Sequence, residues 1–184
     1  MRKIPITVAA VALIVILAAG TTIAWLTASA SISNTFTVGS IAITLTEPGW
    51  TPNSKLYPGA VIAKNPTVTV TAGSEDCYVY AMVDNRLNGT VANAVSLNIN
   101  SGWTAIGARG TKTVYKYDGY AAQSTADRPL TPVFTSVTVS ETAVTEANIE
   151  SIRGGLIEIK AYAHQSNATT PAAADATALA HFGV

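Results

Sequence analysis

Short runs in which every second residue is apolar recur along this chain, and they restrict it to β-structure. Ile41, Ile43 and Leu45 share one face, as do Val68 and Val70 in a run whose other face is Thr67, Thr69 and Thr71. Cys77, Val79, Ala81 and Val83 form a third set, and Val133, Val137 and Val139 a fourth. The clearest alternation is Leu156–Ile157–Glu158–Ile159–Lys160–Ala161–Tyr162–Ala163. It predicts a central strand with Ile157, Ile159, Ala161 and Ala163 buried and Glu158, Lys160 and Tyr162 facing out. Val95–Ser96–Leu97–Asn98–Ile99 reads as a further short strand.

Turn chemistry separates these runs. Gly107–Ala108–Arg109–Gly110 splits Trp103–Thr104–Ala105–Ile106 from Thr113–Val114–Tyr115–Lys116–Tyr117, which predicts a hairpin. Ala72–Gly73–Ser74–Glu75–Asp76 joins two β-runs and predicts that they are antiparallel neighbours. Asp84 to Gly89 reads as turn, and residues 121–131 read as loop. Residues 142–151 hold a candidate short helix. Thr170–Pro171 has the form of an N-cap followed by an N1 proline, opening a helix that ends near Phe182. The fold class is therefore all-β: an antiparallel β-sandwich with one or two short helices.

The N-terminus has a different character. Arg2 and Lys3 precede residues 4–26, which are uncharged and mostly apolar, and no charge follows until Glu47. A basic start, an apolar run and small residues beyond it make an export signal. About 20 apolar residues suffice to span a bilayer, so an uncleaved anchor is the competing reading. Gly20–Thr21–Thr22 breaks helix propensity, and Ala28 and Ala30 fit an A-x-A cut before Ser31. Residues 1–30 are read as signal and 31–184 as one sandwich domain; contact with a membrane is expected only through an uncleaved signal. The protein is expected to be secreted, at the cell surface or in an extracellular matrix.

Eleven basic and eleven acidic residues balance in 184. Loss of Arg2 and Lys3 leaves nine against eleven, a net charge of −2. That excludes an electrostatic case for nucleic acid as partner. Cys77 is the only cysteine, so no internal disulfide forms, and its place in the alternation reads as a buried small hydrophobe.

Chemistry-bearing motifs are scarce. His164 and His181 are the only histidines, no H-E-x-x-H helix is present, and no G-x-S-x-G frames a nucleophile. His164 with Glu158 and Asp175 is the one conceivable metal set, against a plain reading as solvated polar residues. Tyr78, Tyr80, Tyr115, Tyr117 and Tyr120 read as cross-strand pairs before they read as a carbohydrate platform. Trp50 reads as an aromatic plug at the sandwich end. Asn88–Gly89–Thr90 and Asn167–Ala168–Thr169 match the glycosylation sequon as chance occurrences. No catalytic residue, cofactor or metal is assigned, and an enzyme is the less favoured reading.

Several of these segments, in order, resemble the TasA/camelysin family of Gram-positive bacteria. They are Gly20–Thr21–Thr22–Ile23–Ala24–Trp25–Leu26, Asn34–Thr35–Phe36–Thr37–Val38–Gly39, Leu45–Thr46–Glu47–Pro48, Tyr57–Pro58–Gly59–Ala60–Val61–Ile62–Ala63–Lys64–Asn65–Pro66–Thr67–Val68, Cys77–Tyr78–Val79–Tyr80–Ala81–Met82–Val83 and Ile157–Glu158–Ile159–Lys160–Ala161–Tyr162–Ala163. The resemblance implies removal of the signal by a SipW-type signal peptidase, which offers a second cut, after Trp25, beside the one after Ala30. The family's acid after the cut is missing here. It also implies a jelly-roll-like sandwich and self-association into biofilm-matrix or surface fibres. The alternatives it leaves are a camelysin-like secreted metalloprotease and, more plainly, a monomeric wall-associated adhesin. After cleavage Ser33, Asn34, Thr35, Phe36, Thr37 and Val38 form an uncharged, β-prone, proline-free strand. Either it folds back onto its own sandwich or it adds to the sheet of the next subunit as a donor strand.

Overall fold

The computed structural model describes residues 39–49, 54–167 and 169–184. The export segment, the strand Ser33 to Val38, Trp50 and the middle residue of the second sequon lie outside the described residues.

Among the described residues, ten strands build two layers. One layer is the sheet ordered β10 (Ile157–Gln165), β4 (Cys77–Asn85), β7 (Lys112–Tyr117), β6 (Trp103–Arg109), antiparallel throughout. The other combines two three-stranded sheets: β1 (Ile43–Thr46), β3 (Thr67–Val70), β8 (Arg128–Pro129), and β2 (Val61–Ala63), β9 (Phe134–Val139), β5 (Val95–Ile99). They share one kinked pair of arms. Residues 60–70 run antiparallel to 128–139, from Val61 opposite Thr138 to Val70 opposite Arg128. Between the paired segments Lys64 N–H donates to Thr135 C=O, Val133 N–H to Pro66 C=O and Leu130 N–H to Val68 C=O. Pro66 is fully buried in the middle of this arm. It has no N–H to give, so the regular ladder breaks there and the layer bends.

The arm pair 60–70/128–139 in one layer and β4/β7 in the other are successive stretches of one rolled-up hairpin, the jelly-roll device. Val68, Val70, Val137 and Val139 from the first layer pack on Cys77, Val79, Ala81 and Val83 from the second. β9 carries a bulge: Leu97 faces Val137 and Ile99 faces Phe134, so β9 has one extra residue there. The bulge turns both Phe134 and Val137 into the core, which strict alternation forbids.

A second apolar cluster lies on the other face of β4. α1 is the short helix Arg86–Thr90, and α2 is Pro171–Phe182. Thr170 Oγ1 accepts from Ala173 N–H, Pro171 opens α2, and Gly183 closes it at φ 70°. Ala174, Ala178 and Phe182, four apart, cover Tyr80, Met82 and Val114. Gly107 lies under Leu179, and a Cβ there would sit 2.5 Å from Leu179 Cδ2.

Several expectations are corrected. β3 and β4 are not neighbours; the 72–76 turn carries the chain from one layer to the other. Turn residues mark a reversal but do not say whether the next strand pairs beside or packs opposite. β10 is an edge strand of the described sheet and its apolar residues are half-buried; β4 and β7 are the inner strands. Alternation reports a half-buried face, not the number of hydrogen-bonded neighbours. Tyr162 faces α2 and stacks on His181, so it does not face solvent. The turn after β4 contains α1, the 121–131 loop contains β8, and residues 142–151 hold only a 3-10 turn at Ile149–Ile152. α2 falls where the sequence places it, and β6 and β7 form the expected hairpin, but β6 runs on through Gly107–Ala108–Arg109, read as turn, and reverses at Gly110.

Candidate assembly cleft

The two layers close on each other unequally. On one side β1 packs beside β10. On the other, β5 ends its layer with no strand of the described residues beyond it, and a cleft of ≈ 360 Å³ opens between β5 and the β4–β7 face. Val83 and Tyr115 come from one layer, Leu97 and Ile99 from the other, and Asn88 and Thr111 stand at one end. Every lining side chain is uncharged.

The β5 backbone explains what this edge offers. Ser140 N–H donates to Ala94 C=O at 2.9 Å, and the register continues as Val95–Val139 and Ser96–Thr138. In an antiparallel ladder the positions alternate, so Ala94 and Ser96 bond toward β9 while Val95 and Leu97 direct N–H and C=O outward. At Val95 both groups are used. Asn88 Oδ1 accepts from Val95 N–H at 2.8 Å, and Asn88 Nδ2 donates to Val95 C=O at 2.9 Å. The Asn88 carboxamide thus occupies the place of one peptide unit of an adjacent strand. This is the residue of the first sequon; its side chain is committed to the backbone.

A polar cluster fixes that pole of the sandwich. Asp84 is 4% exposed and accepts from Thr111 Oγ1 at 2.5 Å and Arg86 Nε at 2.9 Å, while Arg86 Nη2 reaches Glu158 Oε2 at 2.9 Å. Burial pushes the Asp84 carboxyl up, but the Thr111 and Arg86 hydrogen bonds and the nearby cations outweigh it and hold the pKa below the usual aspartate value. A depressed folded pKa gives stability that is complete above the unfolded value of about 4 and lost as pH falls through the folded value. Asp84→Asn is therefore expected to lower stability at neutral pH by about 1–3 kcal/mol. Its gap to the wild type should narrow below about pH 4. Denaturant titrations at several pH values check this; a gap independent of pH would show that Asp84 is not held ionised by these partners.

The chain enters the sandwich at the opposite pole. Glu75 N–H donates to Ser40 C=O at 3.0 Å, Thr71 N–H donates to Ala42 C=O at 3.0 Å, and Ser74 Oγ bonds both the N–H and C=O of Ala42. Gly39 thus sits by the 71–75 turn, where β4 begins, on the β1 side. The cleft lies toward the end of β4, on the β5 side.

The remaining candidates are scattered. Glu158 pairs with Arg86 and Lys160, Asp175 with Lys116 and Tyr80, and His164 bonds the Gln165 carbonyl. Glu158 lies opposite Asp84 and His164 opposite Tyr78, six residues apart on one strand, or roughly 20 Å. Among the described residues no three His, Cys, Asp or Glu side chains gather as a metal set. Cys77 is buried, and burial, with Asp76 adding, pushes its thiol up. Tyr117 packs edge-on against Trp103, Tyr80 is buried under α2 and Tyr120 is exposed, so the tyrosines form no single platform. The sequence reading took Ser33 to Val38 as a candidate donor strand; they lie outside the described residues, and the reading did not single out β5, Leu97 or Asn88. Periodicity places β5 but carries no sign that its far side is open.

Comparison with family models, with curated proteins and with solved structures finds no match for this chain.

Proposed function

We propose that this chain is an exported structural subunit of the TasA type, which polymerises into cell-surface or matrix fibres by donating its N-terminal strand to a neighbour. The observation that carries the reading is the placement of exit and opening: Gly39 by the 71–75 turn on the β1 side, the open cleft toward the other pole on the β5 side. Ser33 to Val38 directly precede Gly39 with no spacer. Val38 therefore stays within about 4 Å of Gly39 along the chain. Crossing from β1 to β5 alone spans three strand spacings, roughly 14 Å. Six extended residues reach about 20 Å, so the crossing alone would use most of Ser33 to Val38 and leave little of it to pair along its own β5. Donation from the next copy has no such limit, and head-to-tail addition that does not close gives a filament. The segment and the cleft are also alike in lacking charge, so association is not opposed by desolvation of ions.

The test is removal of residues 26–35 from the mature protein. The expected product is a folded, soluble monomer that forms no filaments by electron microscopy. Filaments of unchanged number and length would sink the reading. Unfolding of the monomer would show that the segment serves its own sandwich.

A further inference from the structure

We propose that Asn88 is a site of spontaneous deamidation, that its rate is set by local opening of α1 away from β5, and that the reaction unlocks this edge for good. Asn88–Gly89 is the only Asn–Gly pair in the chain. Asparagine is among the thermolabile residues. It decays when the next peptide nitrogen reaches its side-chain carbonyl carbon, and glycine supplies that nitrogen with no Cβ beside it to hinder the approach. The Gly89 nitrogen loses its proton to solvent hydroxide and attacks Asn88 Cγ. The Cγ–Nδ2 bond breaks, and Nδ2 leaves as ammonia with a proton taken from water. The product is a five-membered succinimide ring. Water then opens the ring at either carbonyl, which leaves aspartate or isoaspartate. The balance is carboxamide and water to carboxylate and ammonium, with no oxidant or cofactor. This chemistry holds whether or not the chain forms fibres.

The fold holds this pair away from the reaction. Asn88 Oδ1 accepts from Val95 N–H at 2.8 Å and Nδ2 donates to Val95 C=O at 2.9 Å, so the carboxamide is turned to β5. Asn88 and Gly89 also lie inside α1, and ring closure needs a ψ at Asn88 outside the helical range. The two bonds and the helical turn must both give way before attack. α1 is little more than one turn, carries Gly89 in its interior, and has Leu87 as its one buried residue. Gly89 and Thr90 are exposed. Such a segment belongs to the low-stability end of a fold and opens without global unfolding. Reclosing does not undo the reaction. An aspartate at position 88 still accepts from Val95 N–H, but it has no hydrogen to give, so Val95 C=O loses its donor and faces a second acceptor. An isoaspartate adds a methylene to the backbone of α1 and moves the carboxylate off the old place of the carboxamide. Either product sets a charge at one end of a cleft whose lining side chains are all uncharged.

Peptide mapping by mass spectrometry on the mature protein, aged at mildly alkaline pH with and without guanidinium chloride, tests this directly. In denaturant, Asn88 is expected to deamidate faster than any other asparagine of the chain. In the folded protein its rate is expected to fall at least tenfold, because only the open fraction reacts. Asn85→Ala removes the side chain that accepts from Asn88 N–H at the start of α1. It is expected to raise the folded rate several-fold and to leave the rate in denaturant unchanged. The isoaspartate fraction, separated by its extra negative charge, is expected to exchange Val95 N–H faster than the intact protein, while β4 and β7 keep their protection. An intact Asn88 in denaturant overturns the site. Equal rates folded and denatured, or a folded rate in Asn85→Ala no higher than in the wild type, overturn the gate. Unmoved exchange at Val95 in the isoaspartate fraction overturns the unlocking of the edge.

Discussion

Phe134→Ala is expected to lower the unfolding free energy by about 3–5 kcal/mol, the range for truncating a buried aromatic. Phe134 is fully buried, and the β9 bulge that points it inward also points Val137 inward three residues later. Ile99 faces it across the sheet. Closing the cavity would mean undoing the bulge, which also holds Val137 in the core, so the site is expected to relax little. Val61→Ala on β2, a residue 67% exposed, is the control and should stay within about 0.5 kcal/mol. Urea unfolding with an unchanged m-value checks both. A loss at Phe134 no larger than the control would mean that the bulge does not set the register of β9.

Phe134 also shows where legibility ends. The alternation of Val133, Val137 and Val139 was readable and all three are buried, yet Phe134 breaks the period and is buried as well. A bulge adds one residue to one strand, and nothing in the local residues Thr135–Ser136 announces it. The hairpin at Gly110 and the Thr170–Pro171 helix start were readable because a local geometry demands those residue types. Partners were not readable. β3 and β4 carry matching alternation and a turn between them, but their apolar faces meet across the core. The same holds for the site. A segment proposed as a donor strand is picked out in a sequence by lacking charge and proline, whereas an open sheet edge is defined only by which strand ends a layer. Asn88 matched a sequon and lay in a stretch read as turn; its two bonds to Val95 depend on α1 folding back beside β5.

The second face of β4 was hidden for a related reason. Tyr78, Tyr80 and Met82 alternate with Cys77, Val79 and Ala81, and a two-layer reading assigns them to solvent. α2 makes a third layer there, and Tyr80 is its anchor. Tyr80 is fully buried, with its hydroxyl donating to Asp175 Oδ1 at 2.8 Å, and Lys116 Nζ lies 2.7 Å from the same oxygen. Lys116 also sits 4.9 Å from the Tyr78 ring centroid. Burial first, and then the hydrogen bond to Asp175, push the Tyr80 phenol well above its ordinary value, so it stays a donor across the working pH range. Tyr80→Ala should therefore lose about 3–5 kcal/mol, from the cavity under α2 and the lost donor together. Tyr80→Phe isolates the donor and should lose about 1–3 kcal/mol, since Asp175 keeps Lys116. The loss should not be uniform. Amides of α2 are expected to exchange faster in both variants, while β4 and β7 keep their protection until global unfolding. A double-mutant cycle with Asp175→Ala should return a coupling of about 0.5–3 kcal/mol. Additive effects, or α2 amides unmoved in Tyr80→Phe, would mean that apolar contact by Ala174, Ala178 and Phe182 alone holds the helix to the sheet.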